Sequence, residues 1–146
     1  MINYRIITTH DPEYEQEKKL RNRILRLPLG LALSEQDVRG EENQLHLVVL
    51  DGRGTLIGCV LVAFFEKTAR IRQMAIEEPY QGRGIGTELM KRLEQALRER
   101  NVFKATLHAR MTARGFYEKL GYSAVSGTFT EVTIPHVAME KVLTLS

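Results

Sequence analysis

Short stretches in which hydrophobic positions alternate with polar ones, or run together, predict the strands of a sheet. The predicted strands are residues 3–8, 45–50, 55–66, 69–76, 103–109, 122–126 and 134–143. The sequence Asp51-Gly52-Arg53-Gly54 indicates a tight hairpin turn between the second and third strands. Residues 45–76 are therefore expected to form three consecutive strands of a meander.

A spacing of about 3.6 residues between apolar positions predicts the longest helix, over residues 85–100. One face of this helix carries the apolar residues Ile85, Leu89, Leu93 and Leu97. Glutamate and arginine residues four positions apart on the opposite face support the same prediction, because such pairs are neighbours on a helix.

Two shorter helices are predicted on either side of the longest one. Asp11 and Pro12 form a helix start signal, with Asp11 as N-cap and proline in the first turn. This helix is expected to continue to about Leu25. The other short helix covers residues 112–120, and Gly121 is its expected C-cap.

The predicted element order is β-α-β-β-β-α-β-α-β-β. It indicates an α/β (α+β) protein with one mixed, mostly antiparallel sheet of about six or seven strands, flanked by helices. The chain of 146 residues has no internal repeat and no low-complexity linker, so a single domain over residues 1–146 is expected.

Composition narrows the class of protein. Hydrophobic residues make up 43% and charged residues 27% of the chain, which is typical of a soluble globular protein. No apolar run approaches the roughly 20 residues that span a bilayer, and the first ten residues lack the apolar core of a signal peptide. These observations predict a cytoplasmic protein without membrane association. A net charge of +3 fits an anionic ligand and is also compatible with weak nucleic-acid binding.

Cys59 is the one cysteine in the sequence. An internal disulfide and a cysteine-rich zinc site are therefore excluded, and no metal site is predicted. Cys59 lies within an apolar strand and has no histidine near it in sequence, so a buried core position is favoured over a nucleophile.

A glycine-rich run, Gln81-Gly82-Arg83-Gly84-Ile85-Gly86-Thr87, lies between a predicted strand and the longest helix. Glycines let the backbone approach a ligand closely, and the start of a helix presents free N–H groups. This arrangement suits a pyrophosphate. The run lacks the Gly-Lys-Ser/Thr end of a P-loop and the Gly-x-Gly-x-x-Gly spacing of a dinucleotide fingerprint. An ordinary glycine-rich turn is the alternative.

Two motifs together resemble the GNAT family of N-acetyltransferases. Residues 81–86 match the family motif Arg/Gln-x-x-Gly-x-Gly/Ala, and residues 116–122 match Phe-Tyr-x-x-x-Gly-Phe/Tyr. Both occur at the expected places, and the resemblance covers residues 4–142. The segment 131–136, Glu-x-x-Ile-Pro-His, also looks like a small bacterial branch of the family.

The resemblance implies acetyl-CoA as cofactor and acetyl donor. Its pyrophosphate would bind the glycine-rich loop, and its pantetheine would lie along the strand before that loop, where the fourth and fifth strands splay apart. The implied cofactor-binding residues are Met74, Ala75, Ile76, Gln81, Gly82, Arg83, Gly84, Ile85, Gly86, Thr87, Phe116 and Lys119.

Tyr117 matches the family's general acid, which protonates the departing thiolate; core packing is its alternative role. The strand over 69–76 carries no carboxylate, in contrast to many family members that use one as base. Either a water chain or a residue from elsewhere then takes the proton, and the candidate residues are Glu131, His136, His108 and His46. All of these residues could instead have structural roles.

Two regions are expected on the acceptor side. Arg70 and Arg72 alternate on one face of the fourth strand and either bind an anionic group of the acceptor or form a solvated face. Residues 27–42, which include Pro28 and Gly30, are expected to form a turn or lid-like loop followed by a short helix or loop. The family varies in this region with its substrate.

The sequence thus predicts an N-acetyltransferase that moves an acetyl group to a primary amine of a small molecule or peptide, in a ternary complex. Two alternatives remain. One is an acyl-CoA-binding sensor without turnover; the other is a basic nucleic-acid-binding domain, which the low aromatic content of 7% disfavours. No nucleic-acid partner is predicted, and a homodimer is compatible with the frequency of such assemblies.

Overall fold

One open sheet of eight strands forms the centre of the protein. A computed structural model describes residues 1–143. The strands are β1 (Asn3–Ile7), β2 (Leu45–Leu50), β3 (Leu56–Phe65), β4 (Thr68–Ile76), β5 (Lys104–Arg110), β6 (Ser123–Ala124), β7 (Phe129–Glu131) and β8 (Ile134–Val142). Their order is β1-β2-β3-β4-β5-β8-β6, and β7 pairs with β8.

The described strand pairs are antiparallel except β4 and β5, which run parallel. Parallel neighbours need a long crossover connection, and the helix between them in sequence supplies it. The helices are α1 (Glu13–Arg21), α2 (Ile85–Glu99) and α3 (Arg114–Lys119). The predicted mixed, mostly antiparallel α/β fold is therefore confirmed.

Each face of the sheet buries its own set of apolar residues. Leu47 and Val49 of β2 belong to the core cluster that contains the apolar face of α2, including Leu93. Val48, between them, belongs to a second cluster with Leu20 of α1. Successive side chains of a strand point to opposite faces, so α1 and α2 cover opposite faces of the sheet.

The C-terminal third of the sheet differs from the prediction. The stretch 122–126 contributes only the two-residue strand β6, and the short strand β7 was not predicted. The sheet consequently has eight strands, not six or seven. The strand β7 was not predicted because the turn after it is formed by Val132 and Thr133, and neither residue type is favoured in turns. The predicted domain of 1–146 includes residues 144–146, which lie outside the described residues.

Both ends of the first helix, α1, also differ from the sequence prediction. Asp11 does not cap it with its side chain; the Asp11 carboxylate accepts the backbone N–H of Thr8 at 2.8 Å. The α-helix ends at Arg21 and continues as a π-helical turn, Asn22–Arg26, and a 3₁₀ turn, Leu27–Leu29. We call these two turns together the α1 extension. Within residues 1–143, no helix is long and apolar enough to cross a membrane.

Candidate active site

The parallel strands β4 and β5 pair over only four residues and then separate. Their register runs from Thr68 opposite Lys104 to Ile71 opposite Leu107, whereas β4 continues to Ile76 and β5 to Arg110. The predicted splay between the fourth and fifth strands is thereby confirmed. A cavity of about 360 Å³ lies at the splay, with walls from β4, β5, α3, the β7–β8 hairpin and the α1 extension.

A bulge in β4 lies at the start of the gap. The register of β3 against β4 shifts between Cys59 and Leu61, and Gln73 on the opposing strand has φ of +58°. The side chain of Gln73 accepts a hydrogen bond from Arg21 Nε at 3.0 Å. Because bulges bend a strand, this one contributes to turning the end of β4 away from β5.

Met74, Ala75 and Ile76 form the last part of β4, beyond the bulge. Ala75 and Ile76 pair with β3 on one side, and their β5 side has no paired strand among the described residues. Met74 lines the cavity. This edge leaves backbone groups available to an extended amide-containing chain.

Tyr117 lies on α3 with its side chain at the wall of the cavity. Its hydroxyl contacts Met74 Sδ at 3.5 Å, and its ring packs edge-on against Phe116 and Tyr122. Burial raises the pKa of Tyr117 to about 12, although the nearby Arg110 charge opposes the shift. The phenol is therefore neutral and able to donate a proton at physiological pH.

The glycine-rich loop leads directly into α2. Gly82 and Gly84 have φ of +76° and +81°, a conformation that favours glycine, and no side chain caps the helix. Gln81 to Gly84 are exposed, and the first N–H groups of a helix have no partner within it. This end of α2 can therefore bind an anion through backbone donors.

The other predicted cofactor residues occupy different surroundings. Arg83 stacks over the Tyr80 ring at 5.4 Å, and Phe116 lies against Gly86, where an added Cβ would be 3.4 Å from its ring. Ile85 is buried in the core cluster with the apolar face of α2. Lys119 is exposed at the end of α3.

Glu131 reaches the cavity from a strained hairpin. It ends β7 and pairs with Ile134, so Val132 and Thr133 alone form the turn. Both have positive φ, +44° and +71°, as a type I′ turn requires. β-branched residues rarely adopt this conformation, and strain of this kind is concentrated at functional sites.

Two histidines adjoin Glu131. The Glu131 carboxylate is 2.9 Å from His108 Nδ1 and 3.8 Å from His136 Nε2. His136 is buried, and its Nδ1 donates to the Ile134 carbonyl at 2.9 Å. In the neutral ring, Nε2 is then the unprotonated nitrogen and can accept a proton. The structure therefore brings together three of the four candidate bases.

His46 is separated from this group. It is fully buried, with Nδ1 3.0 Å from Glu17 and Nε2 2.8 Å from the Glu41 carbonyl. Both ring nitrogens are thus occupied by structural contacts. Cys59 is also fully buried, and burial raises the pKa of its thiol well above the usual value, which agrees with a core position.

Arg70 and Arg72 both line the cavity, and Arg70 is exposed whereas Arg72 is partly buried. Arg72 is held by Glu41 Oε2 at 2.9 Å and by the Asp37 carbonyl at 2.9 Å. Arg70 Nη2 lies 3.0 Å from His108 Nδ1. Part of the loop over 27–42 reaches the cavity through Asp37.

Among the polar residues of the cavity wall, the sequence singled out neither Arg26 nor Arg110, and it included Asp37 only within the loop over 27–42. Arg26 and Asp37 contact each other at 3.4 Å, and Arg110 Nη2 donates to the Leu25 carbonyl at 2.8 Å. Arg110 is the last residue of β5, and a polar residue at the end of a strand that borders the splay is a sequence signal for a cavity position. Arg26 had no such signal, because only the π-helical turn directs it to the cavity.

Comparison with known proteins identifies the family. The model of the acetyltransferase (GNAT) domain matches residues 11–143. The uncharacterised Bacillus subtilis protein YyaT is 36% identical over 90 residues, which are 62% of this chain and 55% of that protein. The chain spans about half the length of the curated relatives that it matches.

Solved structures show the same fold. An acyl-CoA N-acyltransferase from Pseudomonas aeruginosa has a TM-score of 0.82 at 22% identity, covering 97% of this chain and 99% of that one. An aminoglycoside 6'-N-acetyltransferase complexed with coenzyme A has a TM-score of 0.75 at 17% identity, covering 99% and 98%. The family match contains both sequence motifs and nearly all of the described residues, and the chain therefore belongs to the GNAT acetyltransferase family.

Proposed function

We propose that the protein transfers an acetyl group from acetyl-CoA to a primary amine of a small molecule or peptide, by direct attack in a ternary complex. The observation that carries this proposal is the position of Tyr117. Its neutral hydroxyl lies at the splay between β4 and β5, on the wall of a cavity large enough for a small acceptor. We also propose that the protein is located in the cytoplasm. No nucleic acid is proposed as a partner.

The residues present fit acetyl-CoA. The uncapped start of α2 and the exposed glycine-rich loop would hold the pyrophosphate through backbone N–H groups. The free edge of Met74, Ala75 and Ile76 would pair with the pantetheine amides. Phe116 and Lys119 are also proposed to contact acetyl-CoA. Acetyl-CoA, when bound, supplies the thioester that the amine attacks.

Tyr117 acts as the acid in this proposal. Its hydroxyl donates to the leaving sulfur, where negative charge develops. A phenol of pKa about 12 is a weak acid beside an ordinary thiol of pKa about 8.5. The same burial also raises the pKa of a thiol at this position, since burial disfavours the charged form of both groups.

Glu131 and His136 remove the proton from the attacking amine in the same proposal. His136 Nε2 faces Glu131 at 3.8 Å and is the unprotonated nitrogen of the neutral ring. Glu131 is only partly buried and lies at the cavity wall, where an ammonium group would be attracted to its carboxylate. The pair takes the place of the carboxylate that β4 lacks.

The first test measures thermal unfolding with acetyl-CoA, with NADH and ATP as controls. A ligand at 100 times its Kd stabilises a protein by about 2.7 kcal/mol. A higher Tm with acetyl-CoA alone supports the proposal, and no change at millimolar acetyl-CoA overturns it. Binding without turnover of any amine in a broad panel would favour the acyl-CoA sensor.

The second test replaces Tyr117 with Phe. We expect kcat to fall about 100-fold while the Kd of acetyl-CoA changes less than about twofold, because general acid catalysis contributes about 10² to 10⁴ in rate. Tyr122→Phe is the matched control, since the Tyr122 hydroxyl is buried against Glu94 at 2.9 Å, on α2. An unchanged kcat in Tyr117→Phe, or an equal loss in Tyr122→Phe, would contradict the role of Tyr117.

A further inference from the structure

Four arginines line the cavity beside two carboxylates, and their charges are compensated unequally. Arg72 donates to Glu41, Gln44 and the Asp37 carbonyl, so its charge is paired with the Glu41 carboxylate and three of its five N–H donors are engaged. Arg70 lies 4.0 Å from Glu131, its ion-pair partner across the cavity wall. These two arginines are therefore part of the protein's own contact network.

Arg110 differs from Arg70 and Arg72 in its charged neighbours. Within residues 1–143, no carboxylate lies within 4.0 Å of its guanidinium, and its one hydrogen bond in that range is to the Leu25 carbonyl. Burial and then the charge of Arg26 lower the pKa of Arg110. A partly buried cation that lacks a counterion is costly, unless a ligand supplies the negative charge.

Arg26 adds positive charge to the same wall. It lies at the end of the π-helical turn, next to the Leu25 carbonyl that Arg110 contacts. Its guanidinium lies 3.4 Å from Asp37, which is the carboxylate partner of Arg26. The wall formed by the α1 extension and the end of β5 thus carries two guanidinium groups against one carboxylate.

We infer that the acceptor amine also carries an oxyanion, a carboxylate or a phosphate, which binds Arg110 and Arg26. This inference rests on the proposed function, since the acceptor would occupy the same cavity. A guanidinium presents parallel N–H donors that match both oxyanions in a bidentate contact. Glu131, on the β7–β8 hairpin, offers the opposite charge to the ammonium end of the same molecule.

The two charged walls together favour a zwitterionic acceptor of small size. An amino acid or an aminoalkyl phosphate carries both groups within a few bonds. A cavity of about 360 Å³ is at the lower end of the range for ligand pockets, so a large acceptor would extend into solvent. Simple alkylamines lack the group that neutralises Arg110.

Matched pairs of amines test the inference. Phenylalanine is compared with phenethylamine for the carboxylate, and phosphoethanolamine with ethanolamine for the phosphate. Acetyl transfer gives kcat/KM, and isothermal titration calorimetry of each amine gives Kd without turnover. We expect the anionic member of at least one pair to bind at least 10-fold more tightly, and the pair that does so identifies the oxyanion.

Arg110→Met should remove this preference. A hydrogen bond to a charged group corresponds to about a 10- to 100-fold change in affinity, so the anionic member should lose that much while the neutral member loses far less. Arg110→Lys should restore part of the preference. Arg53→Met, in the exposed β2–β3 turn, is the matched control and should leave both members unchanged.

The outcomes separate the two proposals. Equal binding of both members of each pair by the wild type, or an equal loss for both in Arg110→Met, overturns the inference and leaves acetyl transfer intact. Failure of acetyl-CoA to bind overturns the proposed function, whereas the calorimetric preference for anionic amines is still measured.

Discussion

The glycines of the loop before α2 differ in what an added methyl group would meet. At Gly84 a Cβ would have nothing within 4 Å, whereas at Gly86 it would approach Met74 Cε at 3.2 Å. Gly84 is therefore required by its backbone conformation, φ +81°, and Gly86 by the space beside the cavity.

Gly84→Ala should lower the free energy of unfolding by about 1 to 2 kcal/mol, which is the cost of a left-handed conformation for a residue with a Cβ. Urea denaturation measures the change. Gly127→Ala is the control, because Gly127 is also free of neighbours within 4 Å but is not among the glycines of positive φ. Equal stability of the two variants would show that the loop adjusts its backbone without cost.

His108 offers one nitrogen to two neighbours that need opposite behaviour from it. A protonated Nδ1 donates to Glu131 at 2.9 Å, and an unprotonated Nδ1 accepts from Arg70 at 3.0 Å. One nitrogen cannot do both at once. The position of the proton on His108 therefore decides whether the Glu131 carboxylate is engaged by the ring.

At the scale of elements, the β7–β8 hairpin combines an unfavourable turn with a residue at the site. Val132 and Thr133 occupy both central positions of a two-residue turn, where asparagine and glycine are the favoured types. The rest of the hairpin, including the pairing of Phe129 with His136, holds this turn in place.

Replacing Val132 and Thr133 by Asn and Gly should raise the free energy of unfolding by about 1 kcal/mol or more, because each strained residue costs about 1 to 3 kcal/mol. Thermal or urea denaturation measures it. The double replacement by Ala is the control, since alanine keeps a Cβ in the same backbone conformation. A loss of stability in the Asn-Gly variant would mean that packing of Val132 at the cavity wall outweighs the turn strain.

Local sequence patterns predicted most of the strands and helices. Long-range contacts determine the β7–β8 hairpin and the arrangement of residues around the cavity. The β2–β4 meander and α2 followed from alternation, helical spacing and the Asp51 turn, because these signals lie within each segment. The β7–β8 hairpin did not, since its turn lacks favoured residues. Glu131, His136 and Tyr117 were proposed from motifs, whereas Arg110 needed the splay and its contact with Leu25, 85 positions away.

At the scale of the molecule, a buried polar network joins α1, the loop before β2 and the sheet. Glu41 is fully buried and accepts from Arg21 at 2.5 Å, from Arg72 at 2.9 Å and from Tyr14 at 2.8 Å. Arg72 belongs to both this network and the cavity. The network therefore supports one wall of the cavity from behind.

Glu41→Gln should lower the free energy of unfolding at pH 7 by about 1.5 to 3 kcal/mol, because Arg21 loses its charged hydrogen-bond partner and keeps only the Glu17 carboxylate, 3.7 Å away. Urea denaturation of this variant and of Glu42→Gln, an exposed neighbour, measures the difference. A loss no larger than that of the control would mean that Arg21 does not depend on the Glu41 charge.

The same pair of variants tests the effect of pH. Burial alone would raise the pKa of Glu41, but hydrogen bonds and charge from Arg21, then from Arg72, lower it overall. A carboxylate with a lowered folded-state pKa stabilises the protein above its unfolded-state pKa, and this stability disappears as the pH falls through the folded-state value. Wild type should therefore lose more stability than Glu41→Gln on acidification below about pH 4.5.

The four residue pairs between β4 and β5 are also the seam between the two halves of the chain. One half contains β1 to β4, of which β2, β3 and β4 are joined by consecutive hairpins. The other half contains β5 to β8. Segments built from local contacts open and close as units, and these two units are joined by the four backbone pairs and by the core cluster that α2 shares with both of them. A ligand in the gap contacts both units, so hydrogen exchange should slow across the whole sheet when it binds, not only beside it.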